Sequence, residues 1–205
     1  MNDIREAIAS KALERGVCNL VHFTRQENLE SIKAYGLIPR QELENSSAPF
    51  IFNDRNRIDG FPNSISLSVT SPNYKMFYSY RQRDTSTRWA VIFLNANKVL
   101  RNCDCAFNYT NAANNAVRRK PIESRKTLAA FESMFYDART RKARGLKDNE
   151  STDPQAEILC FDPIPPDFLE DIVFSGEAFT YRYDWAYWKP ASRDEDDDDD
   201  WLDWL

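Results

Sequence analysis

The spacing of apolar and polar residues along the chain predicts a series of short helices and strands. Apolar residues at helical spacing predict an N-terminal helix over residues 2–15, and strict alternation predicts a half-buried strand over 64–69. Further strands are predicted at 18–23, 89–94, 156–161 and 172–174, and further helices at 74–83 and 123–143. There is no internal repeat. Because the strands are far apart and the helices are segregated, the pattern indicates an α+β fold and not regular βαβ winding.

Between these elements the sequence predicts one further helix and two irregular segments. Thr24 and Glu27 have the spacing of a capping box, so a helix is expected to begin there and to end at Gly36. Residues 39–63 have few periodic apolar positions and are predicted to be a long, partly ordered loop, while the Asn-rich residues 101–121 are predicted to be irregular. Long loops in compact domains are often functional.

Length and composition are typical of one globular domain. The chain has 205 residues, of which 42% are hydrophobic and 29% are charged, and no apolar run approaches the roughly 18 residues of a membrane span. The charged N-terminus lacks the apolar stretch of a signal peptide. We therefore expect a cytoplasmic monomer without a membrane span, with its four cysteines reduced. One histidine and no C-x-x-C pair predict that no metal is bound.

The charge of the chain is distributed unevenly. Its formal net charge is -5, but residues 1–192 alone have a net charge of +2 because eight acids are concentrated after them. Residues 118–147 contain ten Arg or Lys against three acids. Such a segment is typical of a surface that binds polyanions, and a solvated helix face is the alternative.

His22 and Glu157 are the two candidates for a ligand-binding or catalytic role. His22 lies where a predicted strand meets a predicted helix N-terminus, a place that suits a phosphate-bearing ligand, although a structural histidine is the alternative. Glu157 begins a predicted strand directly after a turn and has apolar neighbours. A carboxylate in that setting can be held for hydrogen bonding or proton transfer, and an exposed edge-strand glutamate is the alternative. The chain contains neither G-x-G-x-x-G nor a P-loop motif.

Two motifs resemble the DarT family of DNA ADP-ribosyltransferases. Residues 20–37 contain L-V-H-F-T-R, N-L and Y-G-L, similar to the family's opening H-F-T-x-x-x-N-L-x-x-I-x-x-x-G-L. Residues 155–166 contain Q-A-E-I-L and I-P-P, similar to the family's A-E-[VI]-L segment and its trailing I-P-P. Between them, residues 53–57 correspond to an Arg-bearing loop and residues 68–77 match only in part. The resemblance covers residues 18–175.

The resemblance implies a fold and an activity. It implies an α+β, ADP-ribosyltransferase-like domain over residues 1–190, with a split mixed or antiparallel sheet, flanking helices and a cleft that binds NAD as co-substrate. It further implies a toxin that modifies thymine or guanine in single-stranded DNA and that has an antitoxin partner. The alternatives are an ADP-ribosyltransferase acting on RNA or protein, and a non-catalytic nucleic-acid-binding homologue.

The resemblance also implies site residues. Glu157 is expected to hydrogen-bond the nicotinamide ribose and to take a proton from the base, and either Arg55 or Arg57 is expected near the pyrophosphate or the target base. The residues expected to bind NAD are His22, Phe23, Thr24, Asn28, Leu37 and Tyr74. Together with the basic segment, the residues expected to bind nucleic acid are Arg81, Arg83, Arg118, Arg119, Arg141 and Lys142.

Residues 191–205 form an acidic tail that ends in W-L-D-W-L. Seven consecutive acids repel one another and predict a flexible segment, whereas the apolar end is typical of a docking peptide. The tail is therefore expected either to fold back onto the basic body, where it would compete with nucleic acid, or to bind a protein partner. A solubilising tail is the alternative.

Overall fold

Six antiparallel strands form the central sheet of the computed structural model, which describes residues 2–45, 50–51 and 59–174. The strands are β1 (Asn19–Arg25), β2 (Ile65–Val69), β3 (Trp89–Asn95), β4 (Cys105–Asn108), β5 (Glu157–Cys160) and β6 (Leu169–Phe174). They lie in the order β4-β5-β2-β1-β3-β6, and every neighbouring pair is antiparallel. The structure confirms the predicted α+β class and has the antiparallel form of the sheet.

Short helices flank this sheet. They are α1 (Asn2–Glu14), α2 (Leu29–Tyr35), α3 (Arg40–Glu44), α4 (Tyr74–Arg83), α5 (Ala96–Asn102), α6 (Asn115–Arg118), α7 (Leu128–Ser133) and α8 (Ala138–Ala143). Short 3-10 turns lie at Gln26–Asn28, Ile122–Arg125 and Pro166–Phe168. Within the described ranges, none of these helices has the length and apolar character that a membrane crossing requires.

Each face of the sheet has its own apolar core. The main core contains Leu20, whereas its neighbour Val21 packs on the opposite face with Phe77 and Trp89. Successive side chains of a strand point to opposite faces, so this division follows directly from the run of apolar residues in β1. Cys103, Cys105 and Cys160 are buried and Cys18 is exposed, and none of the four forms a disulfide in the structure.

The sheet is split between β1 and β2. β1 pairs with β3 along its whole length, from Asn19 to Arg25, but pairs with β2 only at Leu20 and Val21. Beyond Val21 the two strands separate. The gap between them begins at His22, and this split agrees with the sheet that the resemblance implied.

The predicted capping box at Thr24 is wrong. β1 continues through Arg25, so Thr24 is a strand residue, and its hydroxyl accepts a hydrogen bond from the Asn28 side chain at 2.9 Å. The chain then makes a 3-10 turn before α2 begins at Leu29. Extension of the strand by pairing with β3 overrides the local capping signal.

Two further predictions are corrected in the second half of the chain. Residues 101–121 contain β4 and α6 and are not irregular throughout. The single helix predicted over 123–143 is instead a 3-10 turn followed by α7 and α8. The break lies at Asp137, which has a φ of 58° and whose side chain accepts from the backbone N–H groups of Arg139 and Thr140. A short acidic side chain that caps a new helix favours such a break.

Gly36 joins α2 to the far end of the chain. It has a φ of 81°, and a Cβ at this position would lie 2.0 Å from the carbonyl oxygen of Ile164. The next residue, Leu37, forms an antiparallel bridge with Ile164. The two motifs that carry the family resemblance therefore touch each other in the fold, and only glycine fits at their contact.

Candidate active site

Glu157 is the first residue of β5, and its carboxylate is held by the backbone. Oε2 accepts a hydrogen bond from the Ala112 N–H at 2.9 Å. The side-chain amide of Asn108, which is paired with Glu157 across β4 and β5, donates to the Glu157 carbonyl oxygen at 3.0 Å. The side chain remains partly exposed. The result is an oriented carboxylate at a strand end, within reach of a ligand.

A buried arginine lies behind this carboxylate. Arg125 is 3% exposed and donates from Nη1 to Oδ1 of Asn108 at 3.1 Å. Burial lowers the pKa of Arg125, and the carboxylates of Asp59 and Glu157 oppose that shift. The sequence marked Arg125 only as part of the basic segment, because nothing in its local pattern indicates burial.

His22 occupies the gap between β1 and β2. Its Nδ1 lies 2.9 Å from the carbonyl oxygen of Ser66 in β2. A carbonyl oxygen can only accept a hydrogen bond, so Nδ1 carries the proton in this contact. The imidazole therefore has a set orientation at the point where the sheet opens.

The sheet brings His22 and Glu157 to the two sides of one strand. β2 lies between β1, which carries His22, and β5, which carries Glu157. Glu157 lies one residue beyond the last paired position of β2 and β5, Leu67 with Ile158. Two residues that are 135 positions apart in the sequence thus lie on the two strands that flank β2.

Thr24 and Asn28 hold a neighbouring segment of chain. Both are buried, and the Asn28 side chain pairs with the backbone of Ile51: Oδ1 accepts from its N–H at 2.8 Å and Nδ2 donates to its carbonyl at 2.9 Å. Nδ2 also donates to Thr24. These two residues therefore anchor the segment that precedes Arg55 and Arg57, which lie outside the described residues.

Three other residues expected to bind NAD belong to apolar clusters. Leu37 is 4% exposed and packs in the main core directly after α2. Phe23 packs against Phe77 with 4.8 Å between ring centroids. Tyr74 packs partly against the same cluster, and its hydroxyl accepts from Nη2 of Arg144.

The residues expected to bind nucleic acid fall into two groups. Four are exposed: Arg83, Arg118, Arg119 and Lys142. Arg81 is partly buried and stacks on the ring of Phe77, and burial lowers its pKa.

The structure corrects the expected position of Arg141. It was expected on the outer face of a long helix, but its guanidinium is buried and donates to the carbonyl oxygens of Glu150 and Lys147, each at 2.7 Å. It also donates to the hydroxyl of Thr152. Arg141 therefore closes the turn after α8 and is not part of the exposed basic surface.

An aromatic pair beside the carboxylate was not predicted. Tyr109 directly follows Asn108, and its ring contacts that of Tyr136 edge-on, with 5.8 Å between centroids. Lys120 lies over the Tyr109 ring, and Tyr136 is 49% exposed. A cavity of about 260 Å³ lies against Tyr109, Lys120 and Arg125. The sequence signal was weak because the two tyrosines are 27 positions apart in segments predicted as irregular or helical.

No group of three or more His, Cys, Asp or Glu side chains suitable for a metal ion lies in residues 2–45, 50–51 and 59–174.

The split antiparallel sheet, with His22 at its gap and Glu157 on β5, agrees with the α+β, ADP-ribosyltransferase-like fold that the resemblance implies. The family model described as "ssDNA thymidine ADP-ribosyltransferase, DarT" matches residues 21–183. The chain belongs to the DarT family, and the family identified from the two motifs is confirmed.

Among solved structures, the chain is similar to Thermosipho africanus DarTG in complex with ADP-ribose. The identity is 12% and the TM-score is 0.45. The match covers 76% of this chain and 43% of that chain, so this chain spans less than half the length of that protein. The search of curated proteins gave no match.

Proposed function

We propose that this chain is an NAD-dependent ADP-ribosyltransferase that modifies the thymine base of single-stranded DNA. The observation that carries the proposal is the match of the DarT family model over residues 21–183. The structure adds a physical basis, because Glu157, in the family's A-E-[VI]-L segment, is oriented by Ala112 at the edge of a split sheet.

The reaction exchanges one bond at C1′ of the nicotinamide ribose. The C1′–N bond to nicotinamide breaks, and nicotinamide leaves as a neutral molecule with the bonding electron pair. A ring nitrogen of thymine supplies the electron pair of the new C1′–N bond. In DNA the only ring N–H of thymine is at N3, so N3 loses its proton. The products are ADP-ribosylated DNA, nicotinamide and a proton.

Glu157 has two roles in this reaction. As nicotinamide leaves, positive charge develops on the ribose, and a nearby carboxylate stabilises that charge, as in glycoside chemistry. The same carboxylate accepts the proton from the base, because a general base must lie within hydrogen-bond reach of the group it deprotonates. The contact with the Ala112 N–H keeps Oε2 oriented without neutralising the carboxylate.

NAD binds at the opening between β1 and β2. His22, oriented by Ser66, hydrogen-bonds the ribose or the nicotinamide end of NAD. Thr24 and Asn28 act by anchoring Ile51, and Arg55 or Arg57 in the segment that follows pairs with the pyrophosphate. Phe23 and Tyr74 pack along the side of the site.

Single-stranded DNA reaches Glu157 over the exposed basic surface. The exposed side chains of Arg83, Arg118, Arg119 and Lys142 contact phosphates, as does the partly buried Arg81, and Tyr136 offers an exposed ring to a base. We further propose that the chain acts in the cytoplasm as a monomeric toxin and that a protein antitoxin restrains it, which is consistent with its family.

Mass spectrometry of oligonucleotides after incubation with NAD tests this function. We expect one ADP-ribosyl group on single-stranded DNA that contains a single thymine. An otherwise identical oligonucleotide with cytosine in its place should stay unmodified, and so should duplex DNA. Modification of guanine-only DNA, RNA or protein would replace the proposed target. If thymine-containing DNA, guanine-only DNA, RNA and protein all stay unmodified, the result would favour a non-catalytic nucleic-acid-binding homologue.

A further inference from the structure

Arg125 is a buried charge with few hydrogen bonds. It is 3% exposed, and its guanidinium lies over the ring of Phe61 at 5.0 Å. Within the described part of the chain, its Nε is buried without a hydrogen-bond partner. Burial of a guanidinium in this state destabilises the fold, and such destabilising features are commonly retained at functional sites.

The hydrogen bonds of Arg125 lead directly to the proposed catalytic carboxylate. Nη1 donates to Oδ1 of Asn108 at 3.1 Å, and Nδ2 of the same amide donates to the carbonyl oxygen of Glu157 at 3.0 Å. Asn108 is 1% exposed, so neither bond competes with bulk water. An amide whose oxygen is held by a guanidinium cannot rotate without breaking both contacts.

Arg125 also interacts with Glu157 through its charge. The guanidinium is attracted by the carboxylates of Asp59 and Glu157, and that attraction opposes the effect of burial on the pKa of Arg125. The attraction is reciprocal, so the same guanidinium favours the ionised form of Glu157. A general base must be ionised before it accepts a proton.

We propose that Arg125 is a positioning residue for Glu157: through Asn108 it fixes the backbone from which the carboxylate projects, and through its charge it keeps that carboxylate ionised. This inference rests on the proposed function. It assigns two separable effects to one side chain, one on geometry and one on ionisation.

Steady-state kinetics of the full chain against pH separate these two effects. For Arg125→Met we expect kcat to fall about 10- to 100-fold with little change in the KM for NAD. The acid limb of the pH profile should also move to higher pH, since loss of the cation makes the carboxylate harder to ionise. For Arg125→Lys the acid limb should stay near its original position, because the charge is retained.

Asn108→Ala isolates the effect on geometry. It should lower kcat while leaving the acid limb in place, and the double variant with Arg125→Met should lose less than the two single losses combined, because Arg125 acts partly through Asn108. Arg141→Met is the matched control: it also removes a buried guanidinium from this half of the chain, and it should lower the melting temperature without moving the acid limb.

A parent chain without transfer activity would contradict the proposed function itself. An active parent whose Arg125→Met variant keeps its acid limb and its kcat would overturn only the present inference. If Arg125→Met fails to fold, Arg125→Lys and Asn108→Ala decide the question, and equal kcat values for these two variants and the parent would overturn it.

Discussion

Tyr136 presents an aromatic ring that is 49% exposed, and its edge contact with Tyr109 limits how that ring can move. A base stacked on such a ring contributes roughly 1–3 kcal/mol to the binding of single-stranded nucleic acid. We therefore expect Tyr136→Ala to weaken single-stranded DNA binding by at least about fivefold in a fluorescence anisotropy titration.

Tyr35→Ala is the matched control for this measurement. Tyr35 is 65% exposed at the end of α2 and is not part of the basic segment, so its loss should leave DNA affinity unchanged. Equal weakening by the two variants would show that the Tyr109 and Tyr136 pair has no specific part in binding.

Arg141 and Lys142 are adjacent in sequence, but their side chains have opposite surroundings. Arg141 is buried and hydrogen-bonded to two carbonyl oxygens, whereas Lys142 is exposed. Arg141→Ala removes the hydrogen bonds to the carbonyl oxygens of Glu150 and Lys147 and to the buried Thr152 hydroxyl, so we expect it to lower the free energy of unfolding by about 1–3 kcal/mol in urea titrations. Lys142→Ala should leave that free energy nearly unchanged.

The same pair separates stability from DNA binding. Loss of a phosphate contact reduces counterion release. Lys142→Ala should therefore reduce the slope of log DNA affinity against log salt concentration by about one. If the salt dependence changed in Arg141→Ala and not in Lys142→Ala, the assignment of the exposed surface would be wrong.

Among the elements, the contact between α2 and Ile164 depends most strictly on one residue. Gly36→Ala places a Cβ against the Ile164 carbonyl at a backbone conformation that favours glycine. We expect the substitution to break the bridge between Leu37 and Ile164 and to lower the free energy of unfolding by more than about 3 kcal/mol.

Gly145→Ala is the control that measures the cost of the positive φ without a steric contact. Gly145 also has a positive φ, 63°, but a Cβ there would meet nothing within 4 Å. Its substitution should cost only about 1–2 kcal/mol, and chemical denaturation of both variants measures the difference. Equal losses would show that the contact with Ile164 adds nothing to the conformational requirement.

The sequence predicted three elements close to their observed bounds. Helix α4 has the predicted bounds, 74–83, and β2 and β3 match their predicted strands within one residue. The pattern failed where local chemistry and long-range pairing disagree, as at Thr24, whose capping signal lost to strand pairing. It also failed at Asp137, where a left-handed residue divides an otherwise helical run.

The candidate site was predicted only in its two motifs. His22 and Glu157 stand in sequence motifs that the family shares, so both could be named before the fold was known. Arg125 could not be named from the sequence, because its burial depends on Asn108 and Phe61 from distant segments. Arg141 shows the reverse error: its charge suggested a surface, but the fold uses it to hold a turn.

At the scale of the whole molecule, the body and the tail have opposite net charges. Deleting residues 194–205 removes eight carboxylates and changes the formal net charge from -5 to +3. If the tail competes with nucleic acid for the basic body, its deletion should tighten DNA binding at low salt, and the gain should fade as salt screens the charges. Affinity titrations over a range of salt concentrations measure this.

A matched tail variant separates the effect of the acidic residues on DNA affinity from that of the apolar end. Replacing Trp201 and Trp204 by alanine keeps every acid, so on the competition hypothesis it should leave low-salt DNA affinity as in the parent. Unchanged affinity after deletion at every salt concentration would eliminate competition and favour a protein partner or a solubilising role.

The role of Glu157 as the catalytic carboxylate is the central claim, and Glu157→Gln tests it most directly. The amide oxygen can still accept from the Ala112 N–H, so the fold and the position of the side chain are retained, but the group can no longer take a proton or balance a positive charge on ribose. We expect the rate of ADP-ribosyl transfer from NAD to thymine-containing single-stranded DNA to fall by about 10²–10⁴-fold, with NAD affinity and melting temperature close to those of the parent. Transfer at the parental rate by this variant would contradict the account.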